Sequence, residues 1–285
     1  MKNVFITSGP ITWASARLRA FWPAKYMPET DVIQVEHVAE LPEYDNYVFQ
    51  KRIDLDMMES LHAHGKRIYW DYCDPLHWWQ PDVCRKVARI CEAVVCSNQA
   101  LADDFNAWYG DDKAVCIPDC LEPEHFPKKR VHAEVTPVRF VWYGLAVNRV
   151  ALFAGLVNLE RLAANGYKIE LTIMDDRPDQ SWRVTDYFPI SHIQWRLEQE
   201  NEIIANHDIA FLPPYPGPWG QVKSNNKILT AWACGLPVVS THEYNDYETL
   251  MDWQCRRNWQ TLINIERINM DVRQSAAEWM GLFNV

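Results

Sequence analysis

No stretch of this 285-residue chain approaches the roughly 18 consecutive apolar residues that a membrane-spanning helix requires, so no span is expected. The opening MKNVFITSGP lacks the layout of a secretory leader and reads as a short strand followed by a turn. No basic amphipathic helix suited to a membrane surface is evident either, and a cytoplasmic location is expected. Positive charge is scarce: 28 Lys and Arg stand against 38 Asp and Glu, a net charge of −10. That balance argues against broad electrostatic binding to nucleic acid or anionic membrane. The basic clusters Lys128–Arg130 and Arg256–Arg257 are too short to form patches and read as solvated loops. Also missing is any C-x-x-C pair among the eight cysteines, Cys73, Cys84, Cys91, Cys96, Cys116, Cys120, Cys234 and Cys255. Several fall inside predicted strands and helices, which fits small buried residues with reduced thiols better than zinc ligands or a disulfide framework. His62 and His64 lie on different sides of a predicted helix and make a poor metal pair. Asp54 and Asp56 precede that helix and read as capping residues. No metal site is expected.

What the chain does have is length enough for one large or two small domains with real cores, and a high count of 14 tryptophans. Most of these are expected in the core, since buried Trp fills space whereas exposed Trp stacks on sugars or bases. Over the first half, KNVFITS, DVIQVEHV, YDNYVFQK, KRIYWDYCD, AVVCSN and KAVCIPDC read as strands alternating with helices. That alternation makes a complete doubly wound α/β domain over residues 1–125. The stretch LEPEHFPKKRVHAEVTP, rich in Pro turns and charge, marks a boundary, with residues 126–137 as linker. A second domain, residues 138–262, opens with VRFVWYG and a long helix, then YKIELTIMDD, a polar excursion DRPDQSWRVTDYFP, a short strand HIQWR and another helix. HEYNDYETLMDW reads as an acidic aromatic loop, and residues 263–285 as terminal helices able to cross back to the first domain.

The most informative stretch is DIAFLPPYPGPWGQVKSNNKILTAWACGLPVVST, from Asp208 to Thr241. A buried strand breaks into a Pro- and Gly-rich loop, a helix is expected to start near Ser224 and stop at Gly235, and PVVST begins a second buried strand. Unpaired N–H groups at such a helix opening, together with the helix dipole, make a ready anion site. SNNKILTAWACGLPVVST resembles the nucleotide-sugar-binding segment of GT-B fold glycosyltransferases, the group 1, family 4-like enzymes in particular. The resemblance is specific over about 35 residues and implies two Rossmann-like doubly wound domains facing across a cleft. One feature of the group is absent: its two glutamates, eight residues apart, correspond here to Val222 and Thr230.

The resemblance implies transfer of a sugar from a nucleotide-sugar donor, UDP- or GDP-linked, to an acceptor hydroxyl. It implies no metal, because helix N-termini and basic side chains hold the diphosphate leaving group. The donor-side candidates are Gly144, Asn148, Arg149, Trp195, Arg196, Lys223, Ser224, Asn225, Asn226 and Lys227. Gly144 ends a strand where backbone can approach a phosphate closely; Trp195 takes the place beside the nucleobase. On the acceptor side, DPLHWWQPD follows the fourth strand, with Asp74 and His77 as candidate catalytic groups and Trp78 and Trp79 as stacking surfaces. Arg17 and Arg19, near the start of the first helix, are expected to reach an acceptor or the donor phosphates. Without the glutamate pair stereochemistry is open, with retention the reading kept. The acceptor is also open: a glycan, a small molecule or a modified nucleic-acid base of the kind phage enzymes glycosylate. A sugar-nucleotide epimerase of the same fold and a catalytically silent nucleotide-binding protein are the alternatives.

Overall fold

The computed structural model describes residues 1–35, 43–178, 185–266 and 271–284. Parts of the expected strand at 31–38, the polar excursion at 176–189 and the terminal segments around 267–270 lie outside the described residues. The chain divides into two compact units, Met1–Leu121 with Gln221–Asn225 and Met270–Val285, and Glu122–Gly220 with Asn226–Asn269.

The first unit is built on strands β1 (Asn3–Thr7), β2 (Thr30–Gln34), β3 (Asn46–Gln50), β4 (Arg67–Tyr72), β5 (Ala93–Cys96) and β6 (Ala114–Cys116). They form one parallel sheet in the order β2-β1-β3-β4-β5-β6. Every residue of β1 (NVFIT) and β3 (NYVFQ) is buried, as expected of central strands covered on both faces. Local chemistry sets the helix ends: Asp54 accepts from the Met57 N–H, Asn98 from the Leu101 N–H, and Gly110 at φ 91° closes the helix Gln99–Tyr109 in the left-handed region. The first helical segment runs from Ala14 to Ala24 with a π-helical stretch, Arg17–Phe21, in its middle. That wider turn carries Arg17 and Arg19 into the interior instead of into solvent. The terminal helix, Val272–Phe283, completes the core of this unit: Trp279 meets Phe5 edge-on at 5.2 Å and Phe283 packs 5.0 Å from Tyr69.

Residues 221–225, expected within the second domain, pack with the first unit. Asn98 Nδ2 donates to Val222 O at 2.9 Å, and Ser224 Oγ donates to Asp119 Oδ2.

The second unit holds β7 (Val138–Tyr143), β8 (Ile169–Asp175), β9 (Ile190–Gln194), β10 (Ile209–Phe211) and β11 (Val238–Val239), all parallel in the order β11-β10-β7-β8-β9. Behind β7 the helix Arg149–Ala164 carries Gly155, where a Cβ would lie 2.4 Å from Pro213 Cγ. Glycine there lets the loop after β10 lie directly on the helix. The helix Asn226–Ala233 begins two residues later than the sequence suggested, and Gly235 at φ 79° terminates it.

Three expectations about loops are corrected here. Residues 126–137, expected as the linker, pack within the second unit: Phe126 and His132 are buried, and Arg130 N donates to Cys234 O at 2.8 Å. The basic clusters are not simply solvated, since Arg130 pairs with buried Asp208, and Arg256 is 1% exposed with Nη1 donating to Leu250 O and Met251 O. The acidic aromatic loop contains a helix, Tyr244–Thr249, because Tyr247 is fully buried and its hydroxyl donates to Thr241 O at 3.0 Å.

Strand order reverses between β1 and β3 in the first unit and between β7 and β10 in the second. In open parallel sheets such reversals open a crevice at the carboxyl ends of the strands, where ligands bind.

Candidate functional sites on the two units

In the first unit, a polar chain runs along the carboxyl edge of the sheet. The Thr7 hydroxyl, at the end of β1, donates to Gln50 Oε1 at the end of β3 (2.9 Å), and Gln50 Nε2 lies 3.6 Å from Cys73 Sγ after β4. Arg19 fills the middle of this edge. Its Nη2 and Nε donate to Asp71 Oδ1 at 2.5 and 3.0 Å, its Nη1 donates to Ile117 O, and Asp119 Oδ1 lies 3.4 Å away. Burial alone would lower the Arg19 pKa, but the charges of Asp71 and Asp119 outweigh it and hold the guanidinium firmly protonated. Arg17 is 4% exposed and donates to Ile11 O and Thr12 O, with its guanidinium 5.3 Å from the Trp22 ring. Both arginines, expected to reach an acceptor or the donor phosphates, are buried. Arg19 ties the strand ends through Asp71 and Ile117, and Arg17 ties the loop after β1 through Ile11 and Thr12.

The loop after β4 separates the residues expected to act together. Asp74 stays partly exposed and accepts from Lys51 Nζ at 2.5 Å. Lys51, first after β3, has φ 52°, a strained left-handed conformation for a residue with a Cβ. Lys223 lies within electrostatic reach of both: burial lowers its pKa, with Asp74 opposing the shift and Lys51 adding to it. His77, by contrast, is 3% exposed among Phe105, Trp108 and Tyr72. Its Nδ1 is 2.6 Å from the Tyr72 hydroxyl and its Nε2 is 3.0 Å from Asp104 Oδ2. Burial pushes the His77 pKa down, with Asp104 pulling the other way. His77 is thus held inside the fold by Tyr72 and packed against Phe105 and Trp108. Trp78 and Trp79 are 39% and 50% exposed, and Trp78 Nε1 donates to Asp104 Oδ2 at 2.8 Å.

In the second unit, the end of β7 forms a cradle. A Cβ on Gly144 would stand 2.9 Å from Lys227 Nζ and 3.0 Å from its Cε, so only glycine leaves the ammonium where it is. Lys227 Nζ lies 5.7 Å from the centre of the Trp142 ring, and the Tyr143 hydroxyl donates to Lys227 O at 2.5 Å. Asn226 and Lys227 open the helix Asn226–Ala233, while Asn148 precedes the helix Arg149–Ala164. Two helix N-termini and one ammonium therefore gather beside a glycine at the strand-order reversal. Arg149, expected to supply further charge here, is 5% exposed, with Nε donating to Asp175 Oδ2 at 2.6 Å and Nη2 to Arg177 O at 2.8 Å. Trp195 and Arg196 follow β9; Trp195 is half-buried with Nε1 donating to Glu200 Oε1 at 3.0 Å, and Arg196 is exposed at the start of the helix Leu197–Ala205.

Sequence reasoning missed Lys51, Trp13, Asp71 and Asp119. Lys51 and Asp119 each follow a strand end and were visible as polar residues there, but their partners are remote in sequence. No group of three or more His, Cys, Asp or Glu among the described residues is placed to hold a metal ion. Among those residues, no helix is long and apolar enough to cross a membrane.

No known family profile matches the sequence, and no curated protein does. Solved structures do. Anabaena HepE in complex with UDP and glucose superposes with a TM-score of 0.67 at 13% identity, covering 100% of this chain and 99% of that one. A Rickettsia africae glycosyltransferase gives 0.60 at 8% identity over 99% and 97% of the two chains. Staphylococcus aureus TarM gives 0.61 at 9% identity, this chain matching only 58% of its length. The chain has the GT-B glycosyltransferase fold, two parallel α/β units of six and five strands.

Proposed function

We propose that the protein is a nucleotide-sugar-dependent glycosyltransferase. The observation that carries the reading is the Gly144–Lys227 cradle, where an ammonium and helix N-termini meet at the strand-order reversal of the second unit. A diphosphate needs that combination: backbone N–H groups for its oxygens and a positive charge to stabilise it as it leaves. Gly144, Asn148, Asn226 and Lys227 are its holding residues, with Trp195 and Arg196 toward the base. Arg149 acts only indirectly, by fixing the start of its helix through Asp175.

HepE's complex with UDP and glucose supports a UDP-linked donor, with a GDP-linked one as the alternative. Transfer breaks the bond between the anomeric carbon and the β-phosphate oxygen and joins that carbon to an acceptor oxygen. Asp74, held by Lys51, orients the acceptor hydroxyl and takes its proton. Because Lys227 and the helix N-termini supply the charge that a divalent cation would otherwise provide, transfer proceeds without metal. Retention of configuration, the stereochemistry kept, requires the acceptor oxygen to attack on the face from which the diphosphate departs.

A panel of nucleotide sugars tests this by thermal stabilisation and slow donor hydrolysis. A cognate nucleotide sugar at 100 times its dissociation constant should stabilise the fold by about 2.7 kcal/mol. Hydrolysis should release the nucleoside diphosphate and persist in EDTA. Absence of stabilisation and hydrolysis with every donor contradicts the reading; loss in EDTA with recovery on adding manganese contradicts its metal-free mechanism.

A further inference from the structure

We infer that the carboxyl edge of the first unit's sheet binds its acceptor as a neutral saccharide, seated on Trp13 and Trp79 and oriented by Lys51 and Asp74. The inference rests on the transferase reading and names the substrate class of its acceptor side.

The placement comes from topology. Trp13 follows β1, Lys51 follows β3, and Asp74, Trp78 and Trp79 follow β4. These three strands are neighbours in the sheet, and the strand order reverses between the first two. The loops therefore rise side by side at the crevice where such sheets bind ligands, the outer two rooted about 10 Å apart. That is the span of a short oligosaccharide.

Trp13 is 57% exposed, yet it is fixed. Its ring lies on Gly9, where a Cβ would come within 2.5 Å of ring carbon Cε3. The Trp13 backbone N–H donates to Pro10 O at 2.8 Å. Buried Arg17 pins the same loop from below through Ile11 O and Thr12 O. A single exposed Trp needs no explanation. Here a second fixed indole, Trp78, stands after β4 beside Trp79, which is itself 50% exposed, with ring centres 6.3 Å apart. Between the two aromatic positions the chain accepts left-handed backbone at Lys51 and puts its ammonium on Asp74.

That pattern is selective. A pyranose offers an apolar C–H face to an aromatic ring and a hydroxyl edge that needs both a donor and an acceptor. A lipid tail would need continuous apolar surface, which the Lys51–Asp74 pair interrupts. A nucleic acid would need unpaired positive charge for its phosphates, whereas Lys51 is matched by Asp74 and the chain carries −10 overall.

Neutral glucose-, galactose- and mannose-based di- and trisaccharides, titrated against the full chain with tryptophan fluorescence and ligand-observed NMR, provide the test. A single-stranded oligonucleotide serves as the competing probe. At least one saccharide should bind, and Trp13→Ala and Trp79→Ala should each weaken it by about tenfold. Both side chains are exposed, so melting temperatures should stay near wild type, and either variant suffices if the other does not fold. Failure of every saccharide to bind, undiminished binding in the folded variants, or preferential binding of the oligonucleotide overturns the inference. Donor hydrolysis by the wild-type protein separates the two readings. Hydrolysis without saccharide binding sinks the saccharide inference and leaves the transferase standing. Saccharide binding without hydrolysis of any donor supports the platform and removes the transferase.

Discussion

Gly144→Ala places a methyl group 2.9 Å from Lys227 Nζ. The atom it meets is the end of a flexible side chain, so the ammonium moves and the fold does not. Affinity for the cognate nucleoside diphosphate should drop by about tenfold, roughly the 1.4 kcal/mol of a weakened charge-assisted contact. The melting temperature should shift little. Calorimetric titration checks this, and unchanged affinity would remove the cradle from the donor site. Asp74 and His77 make a contrasting pair. Asp74→Asn should cut transfer by about 10²–10⁴-fold with stability intact, as expected for loss of a proton acceptor. His77→Ala should instead cost about 2–3 kcal/mol of stability, since it empties a buried aromatic site and strips partners from Tyr72 and Asp104. A stable His77→Ala protein devoid of transfer would return the histidine to the chemistry.

At the scale of elements, the terminal helix Val272–Phe283 works as a core element of the first unit. Trp279 is fully buried against Phe5, and Trp279→Ala should destabilise by about 3–5 kcal/mol. Chemical denaturation measures it; a loss under about 1 kcal/mol would mean the helix is only draped on the surface. The strands were legible in sequence because a strand covered on both faces is a continuous apolar run, as in NVFIT and NYVFQ. The Gly-Leu-Pro helix stop was legible because Gly235 supplies the left-handed turn that ends a helix. Partners remote in sequence were not legible. Arg19 meets Asp71 across 52 residues and Ser224 meets Asp119 across 105, so a buried anchor and a ligand-binding arginine look alike in one dimension. The same limit hid the packing of residues 126–137, whose Pro and charge resemble a linker until Arg130 finds Asp208. Trp13 carried no periodic signal at all; only Gly9 beneath its ring shows that its exposure is built.

Over the whole molecule, buried ionisable groups set the response to pH. Burial lowers the pKa values of His77, His132 and His207 below 6.5. The folded chain therefore binds fewer protons at these sites than the unfolded chain, so their contribution is present above pH 6.5 and is lost as pH falls through the folded values. Asp208 has its pKa lowered as well: burial opposes the shift, but the Arg139 N–H and the Arg130 and Arg139 charges prevail, and its contribution vanishes at still lower pH. Asp119 runs the other way, since burial raises its pKa, and its contribution is greatest in acid. The melting temperature should consequently fall as pH drops from 7 to 5, and a flat or rising profile would show that the buried histidines do not govern stability. The most direct test of the central claim is calorimetric titration of UDP and GDP into the wild-type chain and into Lys227→Ala. The account predicts saturable binding of one diphosphate by the wild type, at least tenfold weaker in the variant at an unchanged melting temperature. Binding of neither diphosphate to the wild type, or equal affinity in Lys227→Ala, would contradict it.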